Sequence, residues 1–116
     1  MFKDNLLQGK RILVTGGGTG LGKEMSRYFL KYGAEVIICG RRGAVLESTA
    51  EELMKEQGGT VKCYPLDIRA PQDVDTTISE IFLDGPLDGL VNNAAGNFIS
   101  RTQDLSHRGF DAIASI

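Results

Sequence analysis

The sequence has no basic tract, no C-x-x-C pair and no apolar run of membrane-spanning length. With a formal net charge of −2, its composition offers nothing to a nucleic-acid backbone. The short apolar stretches exclude a helix that crosses a membrane. Met1 to Lys10 hold no signal-peptide apolar segment, so a cytoplasmic protein is the expectation. Cysteine is limited to Cys39 and Cys63 and histidine to His107, with no metal-ligand spacing. Buried free thiols are expected, not a metal or redox centre. No repeat, low-complexity tract or linker divides the chain. Its 116 residues, 41% hydrophobic and 24% charged, suit one small domain, 1–116, with a real core.

What the chain does have is glycine, concentrated in Thr15-Gly16-Gly17-Gly18-Thr19-Gly20-Leu21-Gly22. This stretch follows the apolar run Ile12-Leu13-Val14 and opens a segment of helical periodicity, Leu21, Met25, Phe29 and Tyr32. Strand, glycine turn and helix together form the arrangement that binds a dinucleotide diphosphate. Gly16 suits backbone angles closed to other residues, Gly20 lets the main chain approach the diphosphate, and Gly22 permits close helix–strand packing. First-turn N–H groups then face the phosphates, aided by the helix dipole. The spacing is Thr-Gly-x3-Gly-x-Gly, and the loop contains no G-x-G-x-x-G. A nucleoside-triphosphate loop would end in Gly-Lys-Ser/Thr, but Gly22-Lys23 is followed by Glu24. An ordinary strand-to-helix turn is the plain alternative.

Strands and helices alternate along the chain. Strands are expected over Arg11–Thr15, Ala34–Cys39, Thr60–Pro65 and Leu87–Asn92. Helices are expected over Gly20–Lys31, Arg42–Glu56 and Pro71–Leu83, with a last one from near Ser106 still running at Ile116. Gly33 suits the end of the first helix and Gly58-Gly59 the end of the second. The pattern implies an α/β Rossmann-type parallel sheet with helices on both faces, in strand order 3-2-1-4. Ligands bind beyond the carboxyl ends of such strands, where the order reverses. The glycine loop, Gly40-Arg41-Arg42, Asp67-Ile68-Arg69 and Asn92 to Asn97 all meet there.

The end of the second strand sets the choice of cofactor. NAD-binding domains usually carry a carboxylate there for the ribose hydroxyls. Here Cys39 is followed by Gly40, Arg41 and Arg42, and Glu35 lies at the other end of the strand. Paired guanidinium groups match a 2′-phosphate in charge and donor geometry, which favours NADP. The alternative is a solvated arginine pair at a helix start. Asp67 could accept a hydrogen bond from adenine or cap the turn before Pro71. Asn92-Asn93 could bond neighbouring backbone or form a plain turn.

Thr15-Gly16-(x3)-Gly20-Leu21-Gly22, Asp67 and Asn92-Asn93-Ala94-Ala95-Gly96 resemble the short-chain dehydrogenase/reductase family over essentially the whole chain. Within that family, the glycine loop through Lys23 and the run Asn92 to Ser100 are most similar to 2,4-dienoyl-CoA reductases. The double alanine before Gly-Asn-Phe points to that subfamily. The resemblance implies an NADP(H)-dependent oxidoreductase that reduces conjugated dienoyl-CoA thioesters in fatty-acid metabolism. It implies that Gly16, Gly17, Gly18, Thr19, Gly20, Leu21 and Gly22 cradle the diphosphate. Arg41 would hold the 2′-phosphate, Asp67 would meet adenine, and Asn93, Ala94 and Ala95 would line the nicotinamide-side ribose, with Arg42, Ile68 and Gly96 as further cofactor-binding candidates. Arg69, Asn97, Phe98 and Ser106 match positions near the acyl-CoA.

Members of that family run to roughly twice this length, within the usual range for one α/β domain. Their proton-handling set includes Tyr-x-x-x-Lys. Four residues beyond Tyr28, Tyr32 and Tyr64 stand Tyr32, Val36 and Ile68, and the pattern would place the catalytic Asn just beyond Ile116. The expectation is therefore the truncated N-terminal half of such an enzyme, with no catalytic residue of its own and no turnover. A non-catalytic nucleotide-binding module is the alternative. Self-association through an exposed edge of the fourth strand (Leu87, Leu90, Val91) is compatible with both.

Overall fold

The computed structural model of the protein describes residues 5–93 and 114–115. Parallel strands buried on both faces need nearly continuous apolar sequence, and the inner strands supply it. β1 (Arg11–Thr15) and β2 (Glu35–Gly40) are buried along their middles. β3 (Val61–Pro65) forms one edge, and β4 (Gly89–Asn92) lies on the far side of β1. All pairings are parallel, in register Leu13↔Ile37 and Leu13↔Leu90, and the strand order is 3-2-1-4 as expected. Alternate β1 and β2 side chains feed separate cores. Ile12, Val14, Val36 and Ile38 pack with Leu30 of α1 (Gly20–Lys31) and with Leu46 and Leu53 of α2 (Gly43–Gln57). Leu13, Ile37 and Cys39 pack with Val74, Ile78 and Ile81 of α3 (Pro71–Leu83).

The helix ends follow from local chemistry. After α1, the Ala34 N–H donates to the Phe29 carbonyl (3.1 Å) and the Gly33 N–H to the Leu30 carbonyl (3.1 Å). That is a Schellman closure with Gly33 just past the helix. Pro71 opens α3, where its missing N–H costs no helical bond.

Arg11 clamps the end of the sheet remote from the strand carboxyl termini. Its guanidinium donates to the carbonyls of Gly85 (2.6 Å), Pro86 (3.2 Å) and Ile81 (3.3 Å) and to Glu35 (3.0 Å). It thereby caps α3 and joins it to β1 and β2. Glu35 also pairs with Lys62, so the strand's acid is committed away from the ligand end.

Several boundaries differ from expectation. β2 runs through Gly40, whose carbonyl accepts from the Leu66 N–H (2.8 Å), so Arg42 is the extended residue before α2 instead of its first residue. β4 starts at Gly89 and not at Leu87, because an Asp88 carboxylate oxygen accepts from the Arg11 N–H (2.8 Å) in place of a strand carbonyl. The expected final helix from Ser106 lies largely outside the described residues. Its last part is corrected: Ala114–Ser115 is a short strand, β5, paired parallel with Val91 and Asn92. β5 extends the sheet to five strands and covers the β4 edge that was expected to be open. Unpaired N–H and C=O groups of an apolar strand edge favour added backbone over helix at that position. Among the described residues no helix is long and apolar enough to cross a membrane.

Candidate nucleotide site

Beyond β1, the Gly16 N–H donates to the Cys39 carbonyl (2.8 Å), so the loop begins by crossing the end of β2. Gly17 lies directly against Ile38. The Gly18 carbonyl accepts from the buried Thr49 hydroxyl of α2 at 2.6 Å. Gly20 has φ +57, a left-handed angle suited to glycine, and a Cβ there would enter open space. The loop therefore leaves room beside the start of α1 that only a missing side chain keeps clear, which fits a close-lying diphosphate. Gly22 packs against the Gly16 carbonyl and the Asn93 side chain. It permits approach of α1 to the loop itself, a closer contact than the expected helix–strand packing. Leu21 is exposed beside it.

The loop and the β2–α2 turn enclose a cleft of about 590 Å³, lined by Gly16, Gly18, Thr19, Gly40, Arg41, Arg42, Val45 and Leu46. Both α1 and α2 start at this cleft without a side-chain cap or an acidic residue in the first turn. Their free N–H groups and positive dipole ends favour an anion. Arg11, Arg27 and Arg69 are all tied to carboxylates. Among the described residues Arg41 and Arg42 show no such pairing, and both are exposed at the cleft.

Asp67 and Arg69 form a closed unit. Asp67 accepts from the Arg69 guanidinium (3.0 and 2.9 Å) and from the Arg69 N–H (2.9 Å). The guanidinium bonds, followed by the backbone bond, lower the Asp67 pKa from 3.8 to about 2. A depressed carboxyl contributes stability that is present above pH 3.8 and is lost as pH falls through about 2. NMR titration of the Asp67 carboxyl should give a midpoint near 2; a midpoint near 4 would break the pairing. Ile68 packs against the α3-side core, and neither Asp67 nor Ile68 lines the cleft. Arg69, exposed, is held by Asp67.

At the end of β4 the buried Thr15 hydroxyl is the hub. It accepts from the Asn93 N–H (2.8 Å) and donates to the Asn92 Oδ1 (3.1 Å). The Asn93 amide nitrogen is thereby set beside Gly16 and Gly22, so the glycine loop and the end of β4 meet as expected. Ala94, Ala95, Gly96, Asn97, Phe98 and Ser106 lie outside the described residues.

Thr49, Val45 and Leu46 were not expected at the site, and the hydroxyl role of Thr15 was not anticipated. A threonine on the buried stripe of α2, beside Leu46 and Leu53, was the available signal, since a buried hydroxyl needs a partner. Cys39 is buried, and burial pushes its thiol up to about 12. Cys63 is only half-buried, contrary to expectation, because its strand is an edge; its thiol donates to the Leu46 carbonyl (3.3 Å). Among the described residues no cluster of three or more His, Cys, Asp or Glu could hold a metal ion.

A family model described as short chain dehydrogenase matches residues 10–116. "Probable 2,4-dienoyl-CoA reductase 3 [(3E)-enoyl-CoA-producing]" of Caenorhabditis elegans is 46% identical over 119 residues, covering 100% of this chain and 38% of that protein. The "Peroxisomal 2,4-dienoyl-CoA reductase [(3E)-enoyl-CoA-producing]" of Arabidopsis thaliana is 39% identical over 116 residues, covering 99% of this chain and 39% of that protein. This chain thus spans well under half the length of either relative. A solved protein described as a short chain dehydrogenase from Escherichia coli CFT073, complexed with NADPH, superposes with a TM-score of 0.74 at 34% identity. That match covers 79% of this chain and 40% of the other.

Proposed function

The chain belongs to the short chain dehydrogenase family, and we propose that it is the NADP(H)-binding part of an oxidoreductase acting on an enoyl- or dienoyl-CoA, or a related carbonyl substrate. The observation that carries the cofactor choice is the pair of exposed guanidinium groups at the mouth of the cleft, Arg41 and Arg42, neither in an ion pair among the described residues. The acid of β2, Glu35, is bound to Arg11 at the opposite end of the strand, and the nearby Asp67 is held by Arg69. The glycine loop fits a diphosphate through the open space at Gly20 and the uncapped start of α1. In this reading Gly16 to Gly22 hold the diphosphate and Arg41 and Arg42 the 2′-phosphate. Asn93, and with it Ala94, Ala95 and Gly96, flank the nicotinamide ribose. Asp67 and Ile68 border adenine from outside the cleft lining. NADPH, when bound, supplies a hydride.

The thioester substrate is proposed from likeness to the dienoyl-CoA reductases. Arg69, Asn97, Phe98 and Ser106 are its candidate contacts. Arg69 would have to leave Asp67 or share its guanidinium to meet a coenzyme A phosphate. The compartment is proposed as the cytoplasm or, by likeness to the plant relative, the peroxisome. Self-association is retained as a proposal. The β4 edge is a weaker route to it than the bare sequence suggested, because β5 already pairs there.

Calorimetric titration of the chain with NADPH and NADH tests this directly. The expected result is binding of NADPH about 100-fold tighter than NADH, the worth of two exposed charge-assisted contacts. Absence of NADPH binding at millimolar concentration would overturn it. The 116-residue chain is expected to turn over no dienoyl-CoA, since it contains no Tyr-x-x-x-Lys. Measurable NADPH oxidation in its presence would show that proton delivery comes from elsewhere in these residues. A non-catalytic nucleotide-binding module would share the cleft. It differs in that a longer chain carrying these residues would also lack turnover.

A further inference from the structure

We infer that Thr49 is a positioning residue for the diphosphate loop, resting on the nucleotide site proposed above. A threonine inside a helix commonly turns its hydroxyl back to the carbonyl four residues earlier in its own helix. The Thr49 hydroxyl instead donates across 31 residues to the Gly18 carbonyl, at 2.6 Å, and both partners are buried. Gly18 is also pressed on α2, since a Cβ there would lie 3.2 Å from Val45 and 3.3 Å from Leu46. The loop is therefore seated on the second helix and held by one directional bond.

That bond fixes a peptide plane. The Gly18 carbonyl and the Thr19 N–H belong to one trans peptide and point opposite ways. With the carbonyl drawn inward to Thr49, the Thr19 N–H is directed out of the loop–helix interface, at the residue that precedes α1 and lines the cleft. Donors presented outward suit phosphate oxygens, whereas a turned peptide would present a carbonyl oxygen and repel them. Thr49 thus sets the sign of the group the loop offers to the diphosphate. Arg41 and Arg42 precede the first residue of the same helix, and Thr49 lies more than one turn into it.

The test compares Thr49→Val, isosteric but without the donor, with Thr49→Ser, which keeps it. The probes are NADPH and adenosine 2′-monophosphate, which carries the 2′-phosphate and no diphosphate. Thr49→Val should weaken NADPH by about tenfold, one hydrogen bond's worth of organisation. It should leave adenosine 2′-monophosphate binding unchanged, and Thr49→Ser should restore NADPH. Equal NADPH binding by wild type and Thr49→Val overturns the inference, and so does a parallel loss of both ligands, which would mark general loosening. Hydrogen exchange in the wild-type chain answers even if Thr49→Val does not fold. The Thr19 amide should exchange quickly without nucleotide and slow on adding NADPH; no slowing overturns the inference. Wild type that binds no NADPH overturns the site proposal itself, a result distinct from wild type and Thr49→Val binding alike.

Discussion

Gly22→Ala is expected to abolish the proposed nucleotide binding and to lower the unfolding free energy by about 2–3 kcal/mol, the upper part of the range for overpacking a tight contact. A Cβ at Gly22 would overlap the Gly16 carbonyl oxygen, and would lie 2.8 Å from the Gly16 carbonyl carbon and 3.0 Å from the Asn93 amide nitrogen. The obstruction is main chain, and it cannot swing aside as a flexible side chain would. Gly16 is held by its N–H bond to the Cys39 carbonyl and by β1, whose next hydroxyl, on Thr15, grips Asn92 and Asn93. The first turn of α1 must therefore lift away, taking with it the N–H groups proposed to meet the diphosphate. Gly20→Ala makes the useful contrast. Its Cβ meets nothing within 4 Å, so the variant stays folded with a strain of about 1–2 kcal/mol from its left-handed angle. The methyl nevertheless occupies the space proposed for the phosphates, and binding should fall there too. Urea unfolding and NADPH titration of both variants check this. A Gly22→Ala chain with wild-type stability and affinity would mean that α1 can seat on the loop differently from the geometry described.

The elements read correctly to the residue in the sequence are those whose ends are marked locally. β1 is apolar between a charged residue and the glycine loop, α1 is closed by Gly33, and α3 is opened by Pro71. The glycine loop and Arg41 were legible for the same reason, because backbone freedom and charge at a strand end are written in consecutive residues. What escaped depends on bonds across long separations. Arg11 reaches Gly85 over 74 residues, Thr49 reaches Gly18 over 31, and Asp88 displaces a strand carbonyl opposite Arg11. The periodic stripe of α2 marks Thr49 as buried, but nothing periodic marks the partner in any of these bonds. Asp67 shows the intermediate case. Its position at the carboxyl end of the sheet was readable, and so was a turn-capping role, which the bond from the Arg69 N–H fulfils. The fork from the Arg69 side chain was not, since two neighbouring charges in sequence need not face each other. β5 escaped because its pairing depends on the free edge of β4 and not on its own composition.

Replacing both Arg41 and Arg42 by alanine should weaken NADPH binding about 100-fold and leave NADH within about threefold. A charge-assisted hydrogen bond contributes about 1.5–3 kcal/mol. Both side chains are exposed, so solvent screening puts each at the lower end, about tenfold apiece. NADH lacks the 2′-phosphate and therefore has little to lose. Neither guanidinium is in an ion pair among the described residues, so the substitution removes none there. Unfolding free energy should then stay within about 0.5 kcal/mol of wild type, as for other surface changes. Salt gives an independent reading. Raising ionic strength from about 0.05 M to about 0.5 M shortens the screening length severalfold and should weaken NADPH more than NADH in the wild type. That difference should vanish in the double variant. Equal losses of NADPH and NADH would instead assign the arginines to holding the β2–α2 turn in shape, and the preference for the phosphorylated cofactor would have to come from another group.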